Sequence, residues 1–147
     1  MNLESSEKDV LFAEMTEVLV RSNPKLDRKK ILKALDEREQ KRNTCVFSKI
    51  GIPHINCDGL TEPLIALGIS RDGIDYECVS YSSEHYKESL VHLVIMILFE
   101  PGDAELHLKV LADCARVLTV PGFYEAVLKA ESPSQVLNVI REYETEQ

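Results

Sequence analysis

The sequence predicts an α/β fold: a mixed parallel and antiparallel sheet with helices on both faces, in a single domain spanning residues 1–147. Three observations carry this expectation. The length, 147 residues, is that of one ordinary globular domain, and 44% hydrophobic with 29% charged residues is the balance of a chain with a packed core. Segments with apolar residues at helical spacing stand at both ends of the chain, around shorter strand-like runs. The run Leu90–Phe99 (LVHLVIMILF) is rich in branched apolar residues and long enough to pass through the middle of a sheet.

Residues Ser5–Arg21 read as an amphipathic helix, capped by Ser5 or Ser6, with Val10, Leu11, Met15, Val18 and Leu19 on its apolar face. Ser22-Asn23-Pro24 breaks it. Asp27 caps a second helix through about Gln40; Ile31, Leu32 and Leu35 face inward, and Lys29, Lys30, Lys33, Glu37 and Glu39 face water. From Asn43 to Leu60 the pieces are short and poorly periodic. Pro53 biases Ile52 towards an extended conformation, so Ile52 is expected to end a strand and His54 to emerge where that strand gives way to a loop. Pro63–Ile69 reads as a buried strand closed by an Arg71-Asp72-Gly73 turn, followed by a short edge strand over Ile74–Val79 and a polar loop over Ser80–Glu88. After Leu90–Phe99, Asp103 caps a helix carrying Leu106, Val110, Leu111, Cys114 and Leu118. Two further helices begin near Pro121 and at Pro133, the latter with Val136, Leu137 and Ile140 inward.

Charge and composition exclude whole classes of function. With 17 Lys and Arg against 25 Asp and Glu, the net charge is −8, which disfavours binding to nucleic acid or to anionic membranes. Trp is absent and aromatics make up 6%, too few for a base-stacking platform. Cys45, Cys57, Cys78 and Cys114 form no C-x-x-C pair and, with the four histidines, no zinc spacing. No signal-peptide pattern opens the chain, and the longest apolar run is far below the roughly 20 residues of a spanning helix. A soluble, cytoplasmic domain with reduced cysteines is the expected setting.

No Gly-rich phosphate loop, G-x-S-x-G or H-E-x-x-H motif is present. The nucleophile in a distinctive setting is His54, after Ile50-Gly51-Ile52-Pro53. A neutral imidazole accepts a phosphoryl group near neutral pH, because one ring nitrogen keeps a lone pair while the other holds the proton. By default a histidine after proline is a turn residue, Arg38 on a charged helix pairs with a neighbouring Glu, and His107 is a helix-start residue. His92 within the apolar strand reads as a hydrogen-bonded histidine of the core or sheet edge, and His85 as a loop residue.

Arg38-Glu39, Thr44 and Ile50-Gly51-Ile52-Pro53-His54 resemble the pattern R-E, then T, then G-I-A-I-P-H of the fructose/mannitol-type enzyme IIA domains of the phosphoenolpyruvate-dependent phosphotransferase system, including its nitrogen-regulatory branch. Sixteen positions separate Arg38 from His54, as is typical of that family, and the likeness runs on through Pro63–Tyr76, Val91–Phe99 and His107-Leu108 over about 120 residues. The resemblance implies a phosphotransferase: a phosphohistidine carrier that takes a phosphoryl group from phospho-HPr or its nitrogen-branch counterpart on His54. It would pass the group to a IIB domain, or use it as a signal to a transporter or kinase. His107 would steady the phosphoryl oxygens, Arg38 would bind them in a fork, and Thr44 would stand at the site rim. No metal or organic cofactor is implied, since positioning and charge neutralisation carry most of phosphoryl transfer. Ile52, Ile55 and Phe47 are candidates for an apolar docking rim.

The departures from the family pattern are specific. Cys45, Phe47, Lys49 and Ile55 stand where glycines are usual, Gly51 replaces the alanine, and the stretch from Val79 to Ser89 is longer than the family's. The family's N-terminal strand, ahead of the first helix, is expected to be missing. These departures keep a second reading open, a non-catalytic IIA-like regulatory or binding module associated with a transporter.

Overall fold

In a computed structural model of the chain, residues 2–47, 49–76 and 90–145 are described. The element order is α1 (Lys8–Ser22), α2 (Arg28–Lys41), β1 (Cys45–Val46), β2 (Ile50–Gly51), β3 (His54–Asn56), β4 (Leu64–Ile74), β5 (Val91–Phe99), α3 (Ala104–Leu118), α4 (Phe123–Lys129) and α5 (Pro133–Thr145). The contacts within the chain divide it into two compact units, one from Asn2 to Pro101 and one from Gly102 onward. The expected mixed α/β class is what forms.

In the first unit β5 is the organising strand. Every residue of Val91–Phe99 except His92 is buried, as its unbroken apolar run requires of a strand covered on both faces. Its neighbour β4 runs antiparallel along one edge, from Leu64 opposite Leu98 to Ile69 opposite Leu93. A strand has two edges, so β2 and β3 share the other: both run parallel to β5, with Ile50 opposite Leu93 and His54 opposite Ile97. They are one strand interrupted at Ile52-Pro53, where proline has no N–H to give the ladder. The Pro53 carbonyl still accepts from the Ile97 amide at 2.9 Å. His54 therefore opens a resumed strand, and the expected loop begins later.

Other boundaries shift for identifiable reasons. Arg71-Asp72-Gly73 is a bulge within β4 and not a closing turn: the register slips between Ile69 and Ile74, and Gly73 takes the left-handed φ of +92° that the slip demands. The N-terminal strand is not lost. Asn2 bridges Ile69 and Glu7 bridges Asp75, both parallel, and the Leu3 amide donates to the Ile69 carbonyl at 2.7 Å. Leu3 lies on Gly68, where a Cβ would come within 2.8 Å of the leucine side chain. The Glu14 carboxylate, reaching back from α1, accepts from the amides of Glu4 and Ser5 and from the Ser5 hydroxyl. Ser5 is thus spent on Glu14, and α1 starts at Lys8 behind Glu7, whose side chain makes no cap.

On α1, Leu11, Phe12, Met15, Thr16 and Leu19 are buried, whereas Val10 and Val18, expected on the apolar face, are 54% and 37% exposed. Asp27 caps α2 as expected, accepting from the amides of Lys29 and Lys30. The expected edge strand over Ile74–Val79 is seen only in Ile74, which belongs to β4; its last residues, and the Ser80–Glu88 loop with His85, lie outside the described residues. Cys45 departs from the expectation of reduced cysteines: it is disulfide-bonded, while Cys57 and Cys114 are free. Sequence spacing says nothing of which thiols meet in three dimensions.

In the second unit Asp103 caps α3 through the Leu106 amide at 3.0 Å, and His107 and Leu118 are buried. Pro121 stands before α4, not in it; Gly122, at φ +87°, is the residue that turns the chain into that helix, with the Tyr143 hydroxyl above it. Phe123 and Tyr143 meet edge to face at 5.5 Å between centroids, tying α4 to α5. Pro133 opens α5 and the Ser132 hydroxyl accepts from the Gln135 amide, but Leu137, expected inward, is 52% exposed.

Candidate phosphoryl-acceptor site

The site grows from the interruption between β2 and β3. With Pro53 fixed, the Ile52 carbonyl points back towards the His54 ring and meets Nδ1 at 2.8 Å. A carbonyl can only accept, so Nδ1 carries the proton and Nε2 keeps its lone pair. The ring is half-buried and meets Phe99 edge-on, 6.3 Å between centroids and 78° between planes. Backbone and phenyl together hold an imidazole with one tautomer selected.

Burial holds the His54 pKa below its ordinary 6.5, and the Arg38 charge pushes it the same way; the Ile52 carbonyl and the Glu39 carboxylate oppose them. The neutral ring is therefore the form present at neutral pH. Because the folded ring resists the proton more than the unfolded one, stability contributed at this residue is present above about pH 6.5 and falls as the pH drops through that value towards the lower folded pKa. A proton NMR titration is expected to give His54 a midpoint below that of an unfolded histidine peptide; a midpoint above it contradicts the balance described here.

Arg38 is on the last turn of α2, where Nη1 donates to the Arg42 carbonyl at 2.8 Å, closing the helix end. Its charge is felt by both His54 and Tyr76. Thr44, expected at the rim, is only 6% exposed. Its hydroxyl donates to Glu39, so the Tyr76 hydroxyl, 2.7 Å away, must be the donor to Thr44 Oγ1. His107 occupies the first turns of α3, buried. Its amide donates to the Asp103 carbonyl at 3.1 Å and the Leu106 amide to the Asp103 carboxylate, so neither of these two N–H groups is available to an anion there. Of the expected docking rim, Ile52 and Ile55 are buried, while Phe47 is 55% exposed. Phe47 has a φ of +55°, in the left-handed region that glycine adopts without strain.

Sequence reading missed two residues, Glu39 and Tyr76. Glu39 was expected to face water, yet it is 9% exposed and accepts from the Thr44 amide at 3.2 Å and from Lys8 Nζ at 3.5 Å. The signal was present: Ile31, Leu35 and Glu39 fall four apart on one stripe of α2. Tyr76 is fully buried, with Lys8 Nζ 5.2 Å from its ring centroid, and both burial and the nearby Glu39 charge raise its pKa. It also explains Gly51, because a Cβ there would stand 2.8 Å from Tyr76 Cε2. Gly51→Ala is expected to lower stability by about 1–3 kcal/mol, the usual cost of overpacking, and a smaller residue in place of Tyr76 should relieve the clash. Urea melts of the single and double variants measure this; equal losses with and without Tyr76 contradict it.

The fold and the site define a class: a mixed α/β protein with one histidine held as a single neutral tautomer at a strand break. The chain belongs to the family described as "Phosphoenolpyruvate-dependent sugar phosphotransferase system, EIIA 2", whose model matches residues 1–143. It is 31% identical over 144 residues to the "PTS system fructose-specific EIIABC component" of Bacillus subtilis (strain 168), covering 98% of this chain but 22% of that protein. It is 34% identical over 116 residues to the "PTS system fructose-specific EIIA component" of Haloferax volcanii, covering 79% of this chain and 71% of that protein. The chain thus spans about a fifth of the first relative and most of the second. Among solved structures, the nitrogen regulatory protein IIA-Ntr from Neisseria meningitidis superposes with a TM-score of 0.81 at 21% identity, over 95% of this chain and 90% of that one. At that identity the likeness is one of fold. Among the described residues no helix is long and apolar enough to cross a membrane.

Proposed function

We propose that this chain acts as one EIIA-type domain, in the cytoplasm, accepting a phosphoryl group from phospho-HPr or its nitrogen-branch counterpart on Nε2 of His54. The observation that carries the reading is the 2.8 Å contact between His54 Nδ1 and the Ile52 carbonyl, which leaves the Nε2 lone pair for the phosphorus. In the transfer, that lone pair forms the new N–P bond while the N–P bond to the donor histidine breaks, and its electron pair returns to the donor ring. No redox change occurs. The proton stays on Nδ1, donated to the Ile52 carbonyl, throughout, so the ring carries its positive charge beside a fixed acceptor.

Arg38 steadies the phosphoryl oxygens in this reading, and Thr44 holds the loop beneath the site through its buried hydroxyl. The group then passes to a IIB domain or serves as a signal to a regulated transporter or kinase. Burial of His54 supports the transfer, since a ring held below its ordinary pKa is unprotonated at the pH of the cell.

Incubation with phosphoenolpyruvate, enzyme I and HPr is expected to yield an acid-labile phosphoprotein. If this chain stays unlabelled while an active IIA domain labels in the same mixture, the carrier reading is lost and the non-catalytic IIA-like module takes its place.

A further inference from the structure

We propose that Glu39 is a positioning residue for His54, acting through Thr44 and the backbone of Ile52; the role in transfer rests on the proposed function above. The connection is a continuous run of hydrogen bonds. The Glu39 carboxylate accepts from both the amide and the hydroxyl of Thr44. The Thr44 carbonyl accepts from the Ile52 amide at 3.0 Å, and the Ile52 carbonyl holds His54 Nδ1 at 2.8 Å. Each link fixes one end of the peptide or side chain that makes the next, so the carboxylate sets the direction of the acceptor that selects the tautomer of His54.

A solvated surface carboxylate does not do this. Glu39 is buried, its charge balanced by Lys8 Nζ at 3.5 Å and its oxygens satisfied by the amide and the hydroxyl of Thr44. A buried charge with several donors aimed at it is costly to disturb, and the donors it organises lose their orientation when it goes. Thr44 and Ile52 lie on either side of the β1–β2 pairing, in which Cys45 is opposite Gly51. The bond from Ile52 to Thr44 therefore continues that two-residue ladder by one rung, up to the break at Pro53. With so short a ladder, anchoring at its Thr44 end decides where the Ile52 carbonyl points.

The test is made on the full chain labelled with 15N-histidine. The wild type, above the imidazole titration range, is expected to show a protonated Nδ1 and an unprotonated Nε2 for His54. Glu39→Gln keeps the shape but cannot accept all of these donors. It is expected to show a mixture of the two tautomers, and about a tenfold fall in kcat for transfer from phospho-HPr with KM unchanged, within the roughly 10²-fold that an ångström of misplacement costs. Glu37→Gln, which removes an exposed carboxylate two positions away, keeps the wild-type tautomer. A folded Glu39→Gln protein with His54 still wholly in the Nδ1–H form overturns the proposal. If Glu39→Gln does not fold, Thr44→Val, which deletes the hydroxyl link while keeping the shape, must show the mixture; a single tautomer there overturns it equally. The tautomer is read without any phosphoryl donor, so failure of the wild type to label refutes the carrier reading and leaves this measurement intact.

Discussion

Replacing His54 with alanine is expected to reduce acid-labile phosphoryl labelling to background, with the fold retained. Among the described residues, His92 and Thr44 are not equipped to take over. His92 has its Nδ1 committed to the Ser70 carbonyl at 2.9 Å, at the β4 bulge and away from the strand break. Thr44 has its hydroxyl proton donated to Glu39. A covalent carrier without its nucleophile has no slower version of the same step, so the expected loss is complete. His54→Gln separates chemistry from packing, since its side-chain amide can still donate to the Ile52 carbonyl yet offers no basic nitrogen. Arg38→Ala is expected to slow labelling without abolishing it. Residual acid-labile phosphate on His54→Ala at the wild-type level would move the acceptor to another residue.

Phe99→Ala is expected to have the largest effect on stability. Phe99 is 2% exposed, at the end of the central strand, where Asn56 is its register partner and the His54 ring meets it edge-on. Its carbonyl also accepts from the Cys57 amide at 2.8 Å, so the backbone there is held by β3 and the side chain alone changes. Truncating a buried phenylalanine costs about 3–5 kcal/mol through lost burial and the cavity left behind. For a chain of this size that lowers the melting temperature on the order of 10 °C. Urea unfolding should show a reduced midpoint at unchanged slope, and Phe99→Leu should recover most of the loss. In the same variant His54 loses its ring contact but keeps the Ile52 carbonyl, so labelling should fall while the Nδ1–H tautomer persists. A Phe99→Ala protein as stable as the wild type contradicts the packing described for β5.

Elements whose signal is local were legible in the residues. The apolar run of β5 announces itself because a strand buried on both faces cannot alternate. Asp27 and Asp103 cap the helices expected of them, because a cap needs only a carboxylate and the amides two or three residues on. His54 was singled out by its place after Ile52-Pro53 and by the family pattern, and the strand break and the tautomer-fixing carbonyl are consistent with that choice. Pairings between distant segments were not legible. The N-terminal stretch was expected to be no strand at all, yet it makes bridges to Ile69 in β4 and to Asp75 just past its end, which only the packed chain brings alongside it. Val10, Val18 and Leu137 fit a helical apolar face in sequence and are exposed, because a helix buries only the stripe its neighbour covers.

The acidic charge of −8 belongs to both kinds of knowledge. As a total it argues against nucleic acid as a partner. Its distribution is a tertiary matter, and Glu39 shows the difference: one of the 25 acidic residues is not a surface charge but a buried acceptor behind the site.

What the residues determined alone was the class of fold, the helix caps, the central strand and the histidine on which the chemistry is proposed to turn. Propensity, periodicity and a proline next to a histidine act over a few residues, and those can be read in line. What only the tertiary structure decided was the setting of that histidine. Tyr76 lying where an alanine at Gly51 would clash and Phe99 beside the His54 ring are contacts between residues 25 and 45 positions apart, and the burial of Glu39 beneath Thr44 is set by the same packing. Burial, not composition, makes such contacts, and only the packed chain specifies what is buried against what.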